Sequence, residues 1–269
     1  MNKPIFKDNV AIITGASSGI GRELAYQLAE QGAWLALAAR DLSRLEQVAA
    51  VCRDRGGRAI AIQTDVADQA ACQRLIERTV EAYGRIDTLV NNAGLTMWAN
   101  FEQLQTLQPL EIIMQVNYMG SVYCTYAALP YLKQSRGRIV AVSSLTGKAG
   151  VPTRSGYSAS KHAMVGFFDS LRIELSCYGI TVTIIYPDFV ATETRQRAFG
   201  PDGKPLGKSP VQETRVMSAE TCARLTLRAM ERRKREEVMG FRGKVGQYIR
   251  LFAPGLIDRV ALKAIERGR

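Results

Sequence analysis

Tyr157 and Lys161 stand four positions apart in Tyr157-Ser158-Ala159-Ser160-Lys161, and Ser144 lies thirteen positions upstream at the end of an apolar run. On a helix, residues four apart share one face, so a phenol and an ammonium can meet there. A free tyrosine, with a pKa near ~10, exchanges protons poorly at neutral pH. Lowering it by about 3 units requires roughly 4 kcal/mol of preferential phenolate stabilisation. One cation about 4 Å away, at an effective dielectric of roughly 20, supplies a similar amount. Tyr157 therefore reads as a general acid/base and Lys161 as the group that tunes it. Tyr-x-x-x-Lys also recurs by chance on solvated helices, so the pair gains weight only from its company.

That company begins near the N-terminus. Val10-Ala11-Ile12-Ile13-Thr14 is a β-branched apolar run of strand length, followed by Gly15-Ala16-Ser17-Ser18-Gly19-Ile20-Gly21 and then by helix-forming Arg22 to Leu28. A strand, a glycine-rich turn and a helix are the setting in which such a motif binds a dinucleotide. Three glycines admit the backbone to a pyrophosphate, and the helix N-terminus supplies N–H donors and a positive dipole end. The spacing is G-x3-G-x-G rather than the common G-x-G-x-x-G. No Gly-Lys-Ser/Thr ending follows, which argues against a nucleotide-hydrolysing P-loop.

Together these motifs resemble the short-chain dehydrogenase/reductase family, over roughly residues 8 to 240. Thr14 to Gly21 is similar to that family's cofactor motif, with Gly15, Ser17, Ser18, Gly19, Ile20 and Gly21 as the contacts it implies. Asn91-Asn92-Ala93-Gly94 resembles its fourth-strand motif, placing Asn92, Ala93 and Gly94 against the cofactor. Asn117, Ser144, Tyr157 and Lys161 match its catalytic tetrad in order and setting; the thirteen-residue spacing selects Ser144 over Ser143. The resemblance further implies that Lys161 binds the nicotinamide ribose and that Asn117 holds a proton-relaying water. Asp65-Val66 resembles the adenine-binding pair, although Asp65 could merely start the next helix. Pro187-Asp188-Phe189-Val190-Ala191-Thr192 departs from the family's Pro-Gly-x-Val-x-Thr, with Asp188 where glycine is expected. Aspartate tolerates unusual backbone angles better than most residues. Pro187, Val190 and Thr192 carry over as contacts near the carboxamide. The stretch from Trp34 through Ala38-Ala39-Arg40-Asp41, and the tail after Gly240, are similar to reductases near the hydroxysteroid-dehydrogenase branch. A homodimer or homotetramer is the assembly such a resemblance implies.

The elements that must position these groups alternate. Short apolar runs at 10–14, 34–39, 58–63, 86–91, 138–143 and 181–186 are separated by helical patterns that include 41–55, 68–83, 109–135 and 155–178. Regular βα alternation predicts a single-domain Rossmann fold, a doubly wound α/β sheet of about seven parallel strands covered by helices on both faces. Chemistry then lies beyond the strands' carboxyl ends, where all of these motifs fall. Asn117 interrupts a helical pattern with a short polar residue, which predicts a local kink serving the site.

After the second strand, a carboxylate would bind the ribose 2′-hydroxyl of NAD, whereas an arginine accommodates the 2′-phosphate of NADP. Ala39 stands where the acid would be and Arg40 follows, which favours NADP(H). Asp41 is expected to cap the next helix. The reaction expected is ketone or aldehyde interconversion with an alcohol, on a lipophilic, steroid-like or lipid-like carbonyl compound. A 3-oxoacyl-thioester reductase is one alternative. A non-catalytic NADP-binding sensor is another, although such proteins typically lose a tetrad residue and this chain keeps all four.

Composition bounds the rest. The chain has 269 residues, 46% hydrophobic, with five unpaired-looking cysteines and no C-x-x-C, which argues against metal sites and a disulfide framework and fits a cytoplasmic setting. No signal-peptide core and no ~20-residue apolar span is present. His162, the single histidine, reads as a surface or packing residue. Net charge is +11, and from Arg215 onward 14 Lys/Arg face 6 Asp/Glu, yet no nucleic-acid-binding motif accompanies that charge. Arg232-Arg233-Lys234-Arg235 reads as a solvated helix end. Gly200 to Pro210, with three glycines and three prolines, lies in a loop over 194–217 expected to cover substrate. In the 241–269 extension, Leu256, Ile257, Val260, Ala261, Ala264 and Ile265 share a helix face opposite Arg259, Lys263 and Arg267. A basic amphipathic helix can lie weakly in an anionic membrane interface; packing on the body or on a second subunit are the alternatives.

Overall fold

The computed structural model describes residues 4–209 and 216–266. Seven parallel strands run in the order β3-β2-β1-β4-β5-β6-β9: β1 (Val10–Thr14), β2 (Trp34–Ala39), β3 (Arg58–Gln63), β4 (Thr88–Asn91), β5 (Arg138–Val142), β6 (Thr181–Tyr186) and β9 (Glu236–Val238). β1, β4 and β6 are buried almost throughout, as parallel strands covered on both faces must be, which is why they read as continuous apolar runs. The strand order reverses direction between β1 and β4, the point where such sheets open a ligand crevice.

Helices α1 (Gly19–Glu30), α2 (Leu42–Asp54) and α7 (Ala219–Glu231) cover one face. Their core includes Leu24, Leu28, Leu45, Val48 and Met230. On the other face, α3 (Gln69–Tyr83), α5 (Gly120–Ser135) and α6 (Ser155–Glu174) enclose Leu75, Ile76, Leu132, Met164 and Phe168. Asp41 caps α2 by accepting from Arg44 N at 3.0 Å, as expected. Asp68, not Asp65, caps α3, accepting from Ala70 N at 2.8 Å.

The structure differs from the sequence expectations in several places. The helix expected over 109–135 is three segments: α4 (Gln108–Met114), a π-helical turn (Gln115–Met119) and α5. The expected kink is therefore a π turn centred on Asn117. Asp188 is not among the residues with positive φ, so no unusual backbone angle accounts for it. The basic run Arg232–Arg235 starts at the C-cap of α7 and forms the mostly exposed turn into β9, where Arg233 donates to the carbonyls of Arg136 and Gly137. Flanking the 194–217 loop, β7 (Val190–Ala191) pairs with β8 (Met217–Ser218) at its base; residues 210–215 lie outside the described ones. The tail forms two helices, α8 (Phe241–Phe252) and α9 (Pro254–Glu266), the second beginning at Pro254 itself. The side chains of Ala264 and Ile265, and Arg267 entirely, lie outside what is described. All five cysteines are free, and no described helix is long and apolar enough to cross a membrane.

Candidate active site

The glycine turn after β1 closes only because positions 15 and 21 carry no side chain. Gly15 and Gly19 adopt φ +67° and +56°, and a Cβ on Gly15 would lie 2.8 Å from Ala93 Cα. On Gly21 it would lie 2.5 Å from both Gly15 O and Asn92 Nδ2. Asn92 fastens this turn to the loop after β4, donating to the carbonyl oxygens of Thr14 (2.9 Å) and Gly15 (3.2 Å), while Thr14 Oγ1 accepts from the amides of Asn92 and Ala93. Ser18, the N-cap of α1, forms no side-chain cap, so the first-turn amides keep their donors for an anion. A cradle that a single Cβ would fill, ending at an uncapped helix N-terminus, fits a pyrophosphate.

This turn opens into a cavity of about 590 Å³. Its walls bring together Gly15, Ser17, Ser18, Gly19, Ile20 and Arg40; Asp65, Val66, Asn92, Ala93 and Gly94; Ser144, Tyr157 and Lys161; and Pro187, Val190 and Thr192. Two predicted residues stand back from it. Gly21 is buried beneath the turn, and Asn117 is buried behind the wall, where its Oδ1 accepts from Leu95 N (2.7 Å) and its Nδ2 donates to Leu95 O and Ser160 Oγ, both at 2.9 Å. Arg40 is exposed at the cavity's outer end and makes no ion pair among the described residues. Asp65 turns its carboxylate onto Ala67 N (3.0 Å), so it shapes the turn after β3 rather than starting α3.

Tyr157 and Lys161 project from α6 as the four-residue spacing predicts, the ammonium 5.8 Å from the phenol ring centroid. Lys161 Nζ donates to Val142 O at 2.8 Å and touches Met164 Sδ at 3.4 Å. Burial drives Lys161 down to about 7. Burial also pushes the Tyr157 phenol up, opposed by the Arg154 charge and by a hydrogen bond with Ser144. The opposing cation is Arg154 rather than the expected Lys161, and desolvation dominates. Ser143 is committed elsewhere, its hydroxyl donating to Lys161 O at 3.3 Å, whereas Ser144 faces the phenol.

Sequence reasoning missed Arg154, Trp98, Phe189 and the Arg44–Glu193 bridge. Arg44 reaches Glu193 at 2.7 Å, and Arg197 reaches Ser18 Oγ at 3.0 Å, tying the segment after β7 to the cofactor end. Asp188, beside them, accepts from its neighbour Phe189 N at 2.8 Å. No signal marked these residues, because their partners come from distant segments. α8 and α9 complete the wall with Gly243, Gly246, Gln247, Ile257, Val260 and Ala261. Their exposed side chains include Phe241 (82% exposed), Leu251 (73%) and Phe252 (88%) and the basic Arg259 and Lys263, while Arg250 lines the cavity. Ile257 and Ala261 turn inward, which splits the single apolar face expected for this segment. Among the described residues, no cluster of three or more metal-ligating side chains is present.

Comparison with known proteins agrees with this geometry. The short chain dehydrogenase family model matches residues 9–201. The chain is 38% identical to 11-beta-hydroxysteroid dehydrogenase 1A of Arabidopsis thaliana, over 94% of this chain and 76% of that one. It is 36% identical to a dehydrogenase/reductase SDR family protein 7-like of Dictyostelium discoideum, covering 94% and 80%. Among solved structures, a short chain dehydrogenase/reductase from Burkholderia phymatum in complex with NAD superposes with TM-score 0.82 at 26% identity, covering 96% and 97%. An alcohol dehydrogenase from Thermococcus sibiricus complexed with 5-hydroxy-NADP gives 0.74 at 26%, covering 86% and 95%. The chain belongs to the short-chain dehydrogenase/reductase family, in its hydroxysteroid-dehydrogenase-like branch, and is an oxidoreductase acting on CH–OH groups.

Proposed function

We propose that this short-chain dehydrogenase/reductase interconverts a lipophilic ketone and its alcohol with NADP(H), using Tyr157 as the general acid/base. The observation that carries the reading is one cavity shared by the glycine turn, Arg40, Ser144, Tyr157 and Lys161. Arg40, following Ala39 at the end of β2, suits a 2′-phosphate, which an arginine can hold bidentately. Lipophilicity is supported by Leu145, Val151, Phe189, Ile257 and Val260 on the substrate side, and by relatives named hydroxysteroid dehydrogenases.

When bound, the reduced nicotinamide supplies the hydride. The protein's part is to hold and protonate. Ser144 and the Tyr157 phenol both donate hydrogen bonds to the substrate oxygen, where charge develops in the transition state. Tyr157 then yields its proton to that oxygen. In its protonated form Lys161, with a pKa near 7, stabilises the phenolate left behind. Asn117 holds α6 to the loop after β4 through Ser160 and Leu95, and so keeps Tyr157 in place. Pro187, Val190 and Thr192 line the carboxamide side, with Asp65, Val66 and the Asn92–Gly94 loop along the remainder of the dinucleotide groove.

We take residues 1–269 as one functional unit, with 194–217 covering substrate and 241–269 walling the cavity and giving weak contact with anionic membranes. The exposed Phe241, Leu251 and Phe252, with exposed Arg259 and Lys263 on the same pair of helices, support that contact. The deciding experiment follows NADPH oxidation against a panel of steroid ketones, aliphatic ketones, 3-oxoacyl thioesters and quinones. Turnover of a lipophilic ketone above the thioesters supports the reading. Exclusive thioester turnover replaces its substrate class, and no turnover of any carbonyl compound sinks it.

A further inference from the structure

Arg154 occupies an unfavourable position in three independent respects. It is only 6% exposed, yet its Nε and Nη2 have no hydrogen-bond partner, and its one polar contact is Nη1 to Thr96 Oγ1 at a long 3.4 Å. Among the described residues no carboxylate pairs with it, and burying an unpaired cation is costly. It is also the N-cap of α6, where the helix dipole disfavours positive charge. Finally, the preceding Thr153, a β-branched residue, is forced to φ +68°. Strain of that kind persists only where surrounding structure imposes it, and it clusters at functional sites.

What the cation faces explains its retention. Its guanidinium carbon lies 4.5 Å from the Trp98 ring centroid, 5.3 Å from Phe189 and 5.7 Å from Tyr157. Tyr157 thus has two cations at nearly equal ranges from its ring centroid, Arg154 and, at 5.8 Å, Lys161. The two are not equivalent. Lys161 spends its ammonium on Val142 O, whereas Arg154 has spent almost none of its charge on hydrogen bonds. Among the described residues, the other ionisable groups nearby do not pair with it. Arg195, close to Arg154, adds like charge; Lys148 is paired with Glu236 at 2.8 Å; the Asp188 carboxylate accepts from Phe189 N.

We infer that Arg154 is a second cation for the Tyr157 phenolate, a positioning residue that acts through Tyr157 and shares the role otherwise assigned to Lys161. The inference rests on Tyr157 being the acid/base, as proposed above. Desolvation supports the division of labour: Arg154 falls only to about 10 and stays charged at neutral pH, while Lys161 falls to about 7.

Ultraviolet difference titration tests it without a substrate. With saturating NADP+, subtracting the Tyr157→Phe trace from wild type isolates the Tyr157 phenolate, and the same subtraction in an Arg154→Gln background isolates it without the cation. The midpoint is expected to rise by about one unit or more in Arg154→Gln, the scale of one unit charge a few ångströms away, and to stay within about 0.3 unit of wild type in Arg154→Lys. Arg154→Met, which keeps apolar packing among the three rings, reads the same quantity if the glutamine variant does not fold. Equal midpoints with and without the cation overturn the inference, as does a lysine variant displaced as far as the neutral ones. Turnover retained in Tyr157→Phe would instead overturn the underlying reading, so the two failures are distinguishable.

Discussion

Asn117 Nδ2 lies 2.9 Å from Ser160 Oγ, joining the π turn ahead of α5 to the middle of the helix that carries Tyr157 and Lys161. The same side chain pairs with both the N–H and the C=O of Leu95. One buried amide therefore serves three partners from two other segments. Asn117→Ala removes all three hydrogen bonds from a fully buried amide and should cost about 2–4 kcal/mol in urea unfolding, with loss of turnover. A change below about 0.5 kcal/mol would show that the π turn holds itself.

Tyr157→Phe removes the proton donor and keeps the ring. Its kcat on the best carbonyl substrate should fall below about a tenth of wild type, at least ~1.4 kcal/mol of barrier, with NADPH binding by fluorescence nearly unchanged. Retained turnover would mean that another group protonates the substrate.

Arg40→Ala should remove most of the preference for NADPH over NADH, measured as the ratio of the two dissociation constants. Wild-type protein that binds both cofactors equally would make Arg40 an ordinary surface residue.

Lys161 gives a pH signature. Its folded pKa, about 7, lies below the ordinary lysine value of 10.5, so between those values the unfolded chain holds the extra proton. Stability from this group is thus gained as pH rises through that window and lost as pH falls toward 7, with a slope up to about 1.4 kcal/mol per unit. Lys161→Met has no such dependence. Its stability relative to wild type should be greatest near pH 7 and decline steadily toward pH 9; parallel curves would place the lysine's pKa at its ordinary value.

Leu251→Ser/Phe252→Ser changes two exposed apolar side chains on α8 without touching the cavity wall. Wild-type protein should float with anionic phosphatidylglycerol vesicles at low salt, and the double variant should float several-fold less. No lipid-dependent flotation of wild type would leave the tail as packing or a subunit interface instead.

The parts of the site legible in the sequence are those whose geometry is local. Gly15 to Gly21 and Tyr157 to Lys161 act through fixed spacing along one turn or one helix face, and Asp41 caps the helix that it precedes. Asn117 was legible as a disturbance because a short polar side chain has no local reason to sit mid-helix, though the π turn itself depends on Leu95 and Ser160. β9 was hidden because Glu236-Glu237-Val238 has no strand pattern of its own; its pairing with Ile184–Tyr186 comes from the sheet edge. Arg154 was hidden for the same kind of reason, since Trp98 and Phe189 meet it only in the folded protein. The outward and inward halves of α9 could not be separated before α8 was known to pack beside it.

The wall formed by α8 and α9 also divides the cavity by sequence. Every residue proposed to hold the dinucleotide lies at or before Thr192, and the sheet is complete at Val238, whereas the wall residues Gly243 to Ala261 follow. Exchanging the last two helices would therefore reshape the substrate chamber while leaving every proposed cofactor contact in place.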